Sequence, residues 1–472
     1  MSNQYQFAMV GIGVMGRNFL YNMADHGFKV LGYNKNPEKT KVMEAGATPG
    51  TAVKGVNTYK DMADLLEVPR RIMLLVPAGK PVDDVIEEVL PFIEKGDIII
   101  DGGNSHYTDT VRRVKYLTDK GIHFMGMGVS GGEEGARRGP SIMPGGNVEA
   151  WLNVKPMLEA VSAKINGVPC VAHLGKDAAG HYVKMVHNGI EYSIMQLITE
   201  CYDILHRGAG MSNDELHELF KKWNDGDLQS FLVEITRDIF LQPDDKTSNR
   251  LLDMILDKAG AKGTGKWTSQ DAMELGVPIP SIDMAVTMRN LSGLKAERVK
   301  ASALYPNSSQ KFTDKETLIK EVHDALYTGT LISYAQGLAL LHKASAEWKM
   351  EIPMQEVVRV WRGGCIIRST MLEVFIRIFN RNKDLPNILL DAEIAALIKS
   401  KEQGLRNVIS KATLNGYPVG GLMTVLSYVD AYTTARLPTN LLQAQRDNFG
   451  AHTYQRLDME GSFHTEWNAH NG

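Results

Sequence analysis

Short apolar runs alternate with segments of helical periodicity over the first part of the chain. We predict strands within five segments: 5–10, 29–34, 71–79, 96–105 and 121–132. The residues between them repeat apolar positions at spacings of three and four, which favours amphipathic helices. This alternation is typical of a doubly wound parallel sheet, in which ligands lie beyond the carboxyl ends of the strands.

After Gly180 the pattern changes to long helical segments with few strand signals. The segments that we expect to be helical are 178–205, 213–226, 230–240, 249–259, 315–346 and 354–379. The last residues, from Leu437, are polar and aromatic and show little helical pattern at their end. We therefore predict an α/β plus all-α fold: a Rossmann-like doubly wound domain over 1–178, a large all-helical domain over 179–436 and a C-terminal tail over 437–472.

Composition and charge exclude several classes of protein. The 472 residues are 43% hydrophobic and 23% charged, which is ordinary for a soluble globular protein. A formal net charge of -3 gives no reason to expect a nucleic acid or membrane partner. No apolar run approaches the length of a membrane span and the N-terminus has no signal-peptide pattern, so we expect a cytoplasmic protein. Cys170, Cys201 and Cys365 lie far apart, and we expect free, buried thiols.

The sequence GIGVMG stands between the first predicted strand and the first predicted helix. This setting is the one that a dinucleotide fingerprint requires, because its glycines permit a tight turn, close approach to the pyrophosphate and close packing of helix on strand. The free N–H groups and the positive dipole end of the helix then attract the phosphates. The predicted phosphate loop consists of Gly11, Ile12, Gly13, Val14, Met15 and Gly16.

The end of the second strand bears on which dinucleotide binds. Enzymes that use NAD usually carry Asp or Glu there, which bonds the ribose 2′-hydroxyl. Here the residues are Asn34, Lys35 and Asn36, which can accept a 2′-phosphate, so NADP is favoured and NAD remains possible. The ends of later strands carry further candidates for contact with the coenzyme, namely Val76, Pro77, Ala78 and Asn104.

One predicted helix carries an unusual polar stripe. Lys184, His187, Asn188 and Glu191 recur at steps of three and four, so they share one helical face, and Gly189 lies in mid-helix. Such a stripe is most often the solvated face of an amphipathic helix. The alternative is a catalytic face, and the residues of the stripe do not by themselves decide between the two.

Five motifs occur in one order along the chain: DGGNSHYTDT, SGGEEGARRGPSIMPGG, KMVHNGIEY, GTGKWT and QAQRDNFGAHTYQR. In these the sequence resembles the 6-phosphogluconate dehydrogenase family, the decarboxylating enzymes of the pentose phosphate pathway, over essentially its whole length. The resemblance implies an NADP-dependent oxidation of 6-phosphogluconate to ribulose 5-phosphate and carbon dioxide. It also implies a homodimer in which the tail of one subunit threads into the other.

The resemblance further implies the roles of single residues. Lys184 would be the general base and Glu191 the general acid, and no metal is needed because the lysine acts as the electrophile. Arg446 and His452 of the tail would reach the active site of the partner subunit. The implied substrate-binding residues are Asn104, Ser130, Gly131, Gly132, His187, Asn188, Tyr192, Lys262, Thr264, Arg289, Arg446 and His452.

The sequence departs from the family pattern at the coenzyme end. Asn34-Lys35-Asn36 stands where the family commonly has Asn-Arg-Thr, and Pro77 replaces a lysine. Lysine lacks the planar guanidinium that stacks on adenine and makes a bidentate phosphate contact, so these residues leave the preference for NADP over NAD open. Two other interpretations are a non-decarboxylating 3-hydroxyacid dehydrogenase, which is usually shorter and lacks the last two motifs, and a catalytically silent NADP-binding protein.

Overall fold

The computed structural model describes residues 4–306 and 309–467. The chain divides into two compact units, Met1–Thr424 and Val425–Gly472. This division by compactness differs from the functional division at 178 and 436, which stays a prediction. The first three residues of the predicted coenzyme domain, two residues of the helical domain and the last five of the predicted tail lie outside the described residues.

A seven-stranded sheet forms the first part of the larger unit. Its order is β3-β2-β1-β4-β5-β6-β7, with β7 antiparallel to β6 and all other neighbours parallel. The strands are β1 (Phe7–Val10), β2 (Val30–Tyr33), β3 (Val53–Val56), β4 (Arg71–Leu74), β5 (Ile98–Asp101), β6 (His123–Ser130) and β7 (Ser141–Pro144). The predicted doubly wound sheet is therefore confirmed, and the order reverses between β1 and β4, where such sheets bind ligands.

Helices cover both faces of this sheet, as the alternating side chains of β1 require. Phe7 and Met9 belong to one hydrophobic core, and Ala8 and Val10 belong to the other. All four are buried. The helices of this part are α1 (Val14–Asp25), α2 (Pro37–Ala45), α3 (Tyr59–Leu65), α4 (Lys80–Val89), α5 (Tyr107–Thr118), α6 (Gly132–Arg138) and α7 (Val148–Val161).

A two-stranded hairpin, β8 (Lys164–Ile165) and β9 (Val168–Pro169), leads into the helical part. The helices there are α8 (Ala179–Asp203), α9 (Asn213–Asn224), α10 (Phe231–Leu241), α11 (Leu251–Met254), α12 (Thr264–Glu274), α13 (Pro280–Gly293), α14 (Lys295–Leu304), α15 (Lys315–Glu347), α16 (Met354–Val360), α17 (Met371–Arg381), α18 (Ala392–Leu414) and α19 (Gly420–Tyr432). The helical domain is thus confirmed, and the three cysteines are free and buried as expected. None of the helices within the described ranges is long and apolar enough to cross a membrane.

Two of the predicted helices are wrong in extent. The segment 354–379 is broken between α16 and α17, where Gly364 takes a positive φ of 67° that interrupts the helical backbone. The segment 249–259 contains only the single turn of α11. Apolar periodicity suggested a helix in both places; in the segment 354–379 it gave no sign of the backbone conformation of Gly364.

The smaller unit begins within α19, at Val425, and also contains α20 (Thr439–Gly450) and an antiparallel bridge between Tyr454 and Phe463. The carboxylate of Asp447 holds this unit together by accepting several hydrogen bonds. The donors are the backbone N–H of Thr453 at 2.9 Å, His464 Nδ1 at 2.9 Å, the N–H of Thr465 at 3.0 Å and Trp467 Nε1 at 2.8 Å. These bonds fold the residues after α20 back onto its C-terminal end.

Glycines let α8 lie directly against the sheet. A Cβ atom at Gly180 would come within 2.2 Å of the carbonyl oxygen of Gly126 and 2.4 Å of that of Met143. A Cβ atom at Gly128 would come within 2.4 Å of Lys184 Cβ. Larger residues at these positions would push the helix away, so the glycines set the distance between β6 and the face of α8 that carries Lys184.

Replacing Gly180 with alanine tests this packing. The Gly180→Ala variant is expected to lower the free energy of unfolding by about 2 kcal/mol, because the new methyl group meets backbone atoms that cannot rotate away. Urea denaturation followed by circular dichroism measures the change. Gly293→Ala is the matched control, since no described atom lies within 4 Å of its Cβ position and stability should hold or rise slightly. Equal stability of the two variants would contradict the packing argument.

Candidate active site

The phosphate loop has the geometry that its sequence predicts. Gly11 has φ 97°, and a Cβ atom at Gly16 would come within 2.2 Å of the carbonyl oxygen of Gly11. No described atom lies within 4 Å of the Cβ position of Gly13, which is the N-cap of α1 and faces open space. No side chain caps the N-terminus of α1, so the N–H groups of its first turn remain available to phosphate oxygens.

A cavity of about 470 Å³ opens beside this loop and the ends of β4 and β5. Most of the predicted coenzyme residues line it, and Lys262 and Trp267 from the helical part close one side. The lining residues predicted from the sequence are Gly11, Gly13, Val14, Met15, Gly16, Val76, Pro77, Ala78 and Asn104. The glycines, the free N–H groups and the cavity together fit a dinucleotide.

A second cavity of about 310 Å³ lies at the end of β2. Asn34 and Lys35 line it together with the rings of Tyr33 and Tyr59. The other two predicted coenzyme residues have different side-chain environments. The side chain of Asn36 accepts the N–H of Glu38 at 3.0 Å and caps α2, and Ile12 is buried in a hydrophobic core.

Lys184 lies in the middle of α8 and is only 6% exposed. Its Nζ lies 3.4 Å from His187 Nδ1. Burial lowers the pKa of the Lys184 amine, and the carboxylate of Glu191 acts in the opposite direction. A lysine in this environment keeps more of its neutral, proton-accepting form than an exposed lysine does.

His187 and Asn188 link Lys184 to two other elements. His187 is fully buried, with Nε2 3.3 Å from Ser130 Oγ at the end of β6 and Nδ1 3.0 Å from Asn188 Oδ1. Asn188 Nδ2 donates to Thr264 Oγ1 at 3.2 Å. Burial and the nearby Lys184 hold the pKa of His187 well below its usual range, so the imidazole is neutral.

Glu191 lies one helical turn beyond His187, with its Oε2 3.8 Å from His187 Nδ1. Burial raises the pKa of its carboxyl group, and Lys184 and Arg289 counteract part of this effect. The guanidinium of Arg289 lies 3.4 Å from the ring centroid of Tyr192 and also donates to the carbonyl oxygen of Gly260 at 3.2 Å. Lys184 and His187 are buried and Asn188 and Glu191 are partly buried, so the polar stripe is not a solvated face.

The mid-helix glycine of α8 allows α12 to approach. A Cβ atom at Gly189 would come within 2.7 Å of Thr268 Cγ2, and one at Gly265 would come within 2.5 Å of Tyr192. This contact brings Thr264 to Asn188 and carries Lys262 to the rim of the coenzyme cavity. The sequence predicts Lys262 as a substrate residue, and the structure places it beside the coenzyme loop as well.

The segment between α16 and α17 contributes residues that sequence reasoning missed. The ring of Trp361 lies edge-on to His187, with centroids 5.8 Å apart, and the N–H of Ile366 points to Ser130 Oγ at 3.5 Å. A Cβ atom at Gly131, which has φ 117°, would come within 2.5 Å of the carbonyl oxygen of Gly364. The pair Gly363-Gly364 inside an apolar segment was the one feature of the sequence that could have pointed to this segment. By contrast, no described atom lies within 4 Å of the Cβ position of Gly132.

Arg446 and His452 lie in the smaller unit. Both side chains are exposed there. Arg446 donates to Gln443 Oε1 at 3.2 Å, and the His452 ring meets that of Phe449 edge-on.

Asp271 on α12 binds two tyrosines that the sequence did not single out. Its Oδ1 accepts from Tyr107 at 2.5 Å, and its Oδ2 accepts from Tyr182. Tyr107 begins α5 and follows the loop of Asn104, whereas Tyr182 lies on α8 two residues before Lys184. Burial raises the pKa of both phenols, which keeps them protonated as donors. Asp271 thus ties the coenzyme side of the site to the lysine helix.

Removing one of these donors tests the link. Tyr107→Phe is expected to lower the free energy of unfolding by about 2 kcal/mol, because a buried carboxylate loses a hydrogen bond while its burial remains. Urea denaturation measures the loss. Tyr116→Phe serves as the control, since that ring lies on the exposed side of the same helix. The link would be disproved by a loss no greater than that of the control.

Comparison with known families agrees with this geometry. Residues 6–175 match the NAD binding domain of 6-phosphogluconate dehydrogenase, and residues 180–467 match the C-terminal domain of 6-phosphogluconate dehydrogenase. Together the two matches span most of the chain.

Individual relatives are similar over their whole length. The NADP(+)-dependent, decarboxylating 6-phosphogluconate dehydrogenase of Bacillus subtilis is 51% identical, covering 99% of this chain and 100% of its own. The decarboxylating 6-phosphogluconate dehydrogenase 1 of Saccharomyces cerevisiae is 46% identical over 99% of this chain and 97% of its own. The solved Plasmodium falciparum 6-phosphogluconate dehydrogenase superimposes with a TM-score of 0.95 at 43% identity, over 98% of this chain and 100% of that one. The chain belongs to the 6-phosphogluconate dehydrogenase family.

Proposed function

We propose that this protein oxidises and decarboxylates 6-phospho-D-gluconate to D-ribulose 5-phosphate and carbon dioxide with reduction of NADP. One observation carries the proposal: Lys184 and Glu191, two turns apart on one buried helical face, have pKa values shifted toward a neutral amine and a protonated carboxyl. The Bacillus subtilis relative is named as NADP(+)-dependent and decarboxylating. The Plasmodium falciparum structure was solved with NADP+ as cofactor and 6-phosphogluconate as substrate.

The neutral amine of Lys184 acts as the general base of the oxidation. It removes the proton of the 3-hydroxyl group, which general base catalysis requires to be within hydrogen-bond reach. When bound, the coenzyme supplies the acceptor for the hydride of C3. The phosphate loop and the residues at the ends of β4 and β5 hold that coenzyme, with Asn104 between coenzyme and substrate.

The same lysine, now protonated, promotes the loss of carbon dioxide. Its ammonium donates a hydrogen bond to the 3-keto oxygen and stabilises the negative charge that develops there as the C1–C2 bond breaks. The burial of Lys184 strengthens this interaction, since the effective dielectric constant is low. The carboxyl group of Glu191 then donates its proton to the carbon that lost the carboxylate, which gives the ketone product. No metal ion takes part in this scheme.

The substrate is strongly anionic, and the net charge of the chain is -3, so local groups must bind it. We assign its sugar acid to Asn104, His187 and Asn188, together with Ser130, Gly131 and Gly132 at the end of β6. We assign its phosphate to Lys262, Thr264 and Tyr192 and to the guanidinium of Arg289. Charge-assisted hydrogen bonds of this kind are the strong ones in phosphate binding.

We also propose the division into a coenzyme domain over 1–178, a substrate and dimerisation domain over 179–436 and a tail over 437–472. In this arrangement the protein is a cytoplasmic homodimer, and each subunit receives Arg446 and His452 from its partner. The exposure of both side chains within the smaller unit supports their availability to another subunit. A substrate phosphate would draw the arginine into a bidentate contact.

Product stoichiometry tests the reaction. With 6-phosphogluconate and NADP, we expect reduced coenzyme and carbon dioxide to form in equal amounts, and NAD should be run in parallel. Reduced coenzyme without carbon dioxide would instead indicate a non-decarboxylating 3-hydroxyacid dehydrogenase. A folded protein that binds NADP without turnover would indicate a silent binding protein.

The base is tested by the pH profile of Lys184 variants. Since the neutral amine is the active form, kcat/KM should rise with pH as Lys184 loses its proton, at a pKa below that of ordinary lysine. Lys184→Met should lower kcat by about 10²–10⁴-fold and abolish this acid limb. Lys155→Met, at an exposed lysine of α7, should leave kcat and the acid limb unchanged. If the pH profile of Lys184→Met kept its acid limb, the general base would be another group.

A further inference from the structure

Lys35 at the end of β2 is paired with a carboxylate from a different element. Its Nζ lies 3.3 Å from Glu88 Oε1 on α4. The position after β2 is where dinucleotide folds distinguish a ribose 2′-hydroxyl from a 2′-phosphate. Of the described residues that line the adjoining cavity, Lys35 is the one cation. The cation that lines this cavity is therefore already paired with a carboxylate.

Glu88 is held in this position from its other side. Its Oε2 accepts a hydrogen bond from Tyr59 at 3.0 Å. The ring of Tyr59 is buried and packs against Tyr33, with centroids 4.3 Å apart, and both rings line the cavity. Burial raises the pKa of Tyr59, so the phenol remains a donor. The tyrosine thus directs the second oxygen of Glu88 toward Lys35.

We propose that Glu88 is a specificity-determining residue that competes with the 2′-phosphate of NADP for Lys35 and so narrows the preference for NADP over NAD. The inference rests on the proposed function, since it assumes a nicotinamide dinucleotide in this cavity. A 2′-phosphate that binds the Nζ of Lys35 has to compete there with the carboxylate of Glu88. The 2′-hydroxyl of NAD is uncharged and needs no cation, so the ion pair between Lys35 and Glu88 does not weaken the binding of NAD.

The exposure of the pair limits the size of this effect. The side chain of Lys35 is 67% exposed and that of Glu88 is 43% exposed, so water and salt screen their attraction. Exposed pairs of this kind are worth little, which corresponds to a change in coenzyme preference of roughly fivefold rather than a block on NADP. The competition should also weaken as the salt concentration rises.

The test compares Glu88→Gln with the unmodified chain. The ratio of kcat/KM for NADP to that for NAD should rise roughly fivefold, chiefly through NADP. Binding of adenosine 2′,5′-bisphosphate and of 5′-AMP, measured by calorimetry, reports the same preference without any turnover. Glu87→Gln is the matched control, because it makes the same charge change on the same helix. The carboxylate of Glu87 accepts a hydrogen bond from Tyr116 instead of from Tyr59. The control ratio should stay unchanged.

The variant Lys35→Gln shows whether the effect acts through the lysine. In that background Glu88→Gln should no longer alter the preference. An unchanged ratio in Glu88→Gln, an equal rise in Glu87→Gln or a full effect without Lys35 would each overturn the proposal. If no variant turns over 6-phosphogluconate but the preference for adenosine 2′,5′-bisphosphate still rises in Glu88→Gln, the proposed reaction fails and the role of Glu88 stands.

Discussion

The direct contact between α8 and the sheet is the constraint on which the rest of the site depends. Gly180 and Gly128 remove the side chains that would separate helix from strands, so Lys184 lies against the backbone of β6. Burial at this contact costs the lysine its hydration and lowers its pKa. The packing that stabilises the fold therefore also favours the neutral form of the amine, which is the form that the proposed general base requires.

A second close contact extends this arrangement to the substrate and coenzyme residues. Gly189 and Gly265 let α12 lie against α8, and Asp271 joins α12 to both Tyr107 and Tyr182. Three elements that are distant in sequence thus share one buried carboxylate. Because buried hydrogen bonds to a charged group are costly to break, they hold the lysine helix, α12 and the loop after β5 in a fixed relation.

The charged groups at the coenzyme end of the site are exposed to solvent, unlike those around Lys184. Around Lys184 the groups are buried and their pKa values shift, whereas Lys35 and Glu88 lie near the surface in water. Interactions there are weak and screened, so they adjust a preference by small factors. In the proposed function the chemistry belongs to the helical face of Lys184 and the choice between coenzymes to the exposed edge, where a few charges can change without disturbing the core.

The sequence by itself determined what local interactions control. The strand, glycine and helix pattern identified the phosphate loop and five of the strands, and the spacing from Lys184 to Glu191 put the polar stripe on one face. Only the tertiary structure decided that Lys184 and His187 of this stripe are buried, that strands β3 and β7 complete the sheet and that the segment after α16 turns toward Ser130. Asp271 with Tyr107, and Lys35 with Glu88, were likewise not predictable, because residues far apart in sequence carry no periodic signal of their meeting. Periodicity records which side of an element is apolar, whereas the partner of a polar side chain is set by packing among elements.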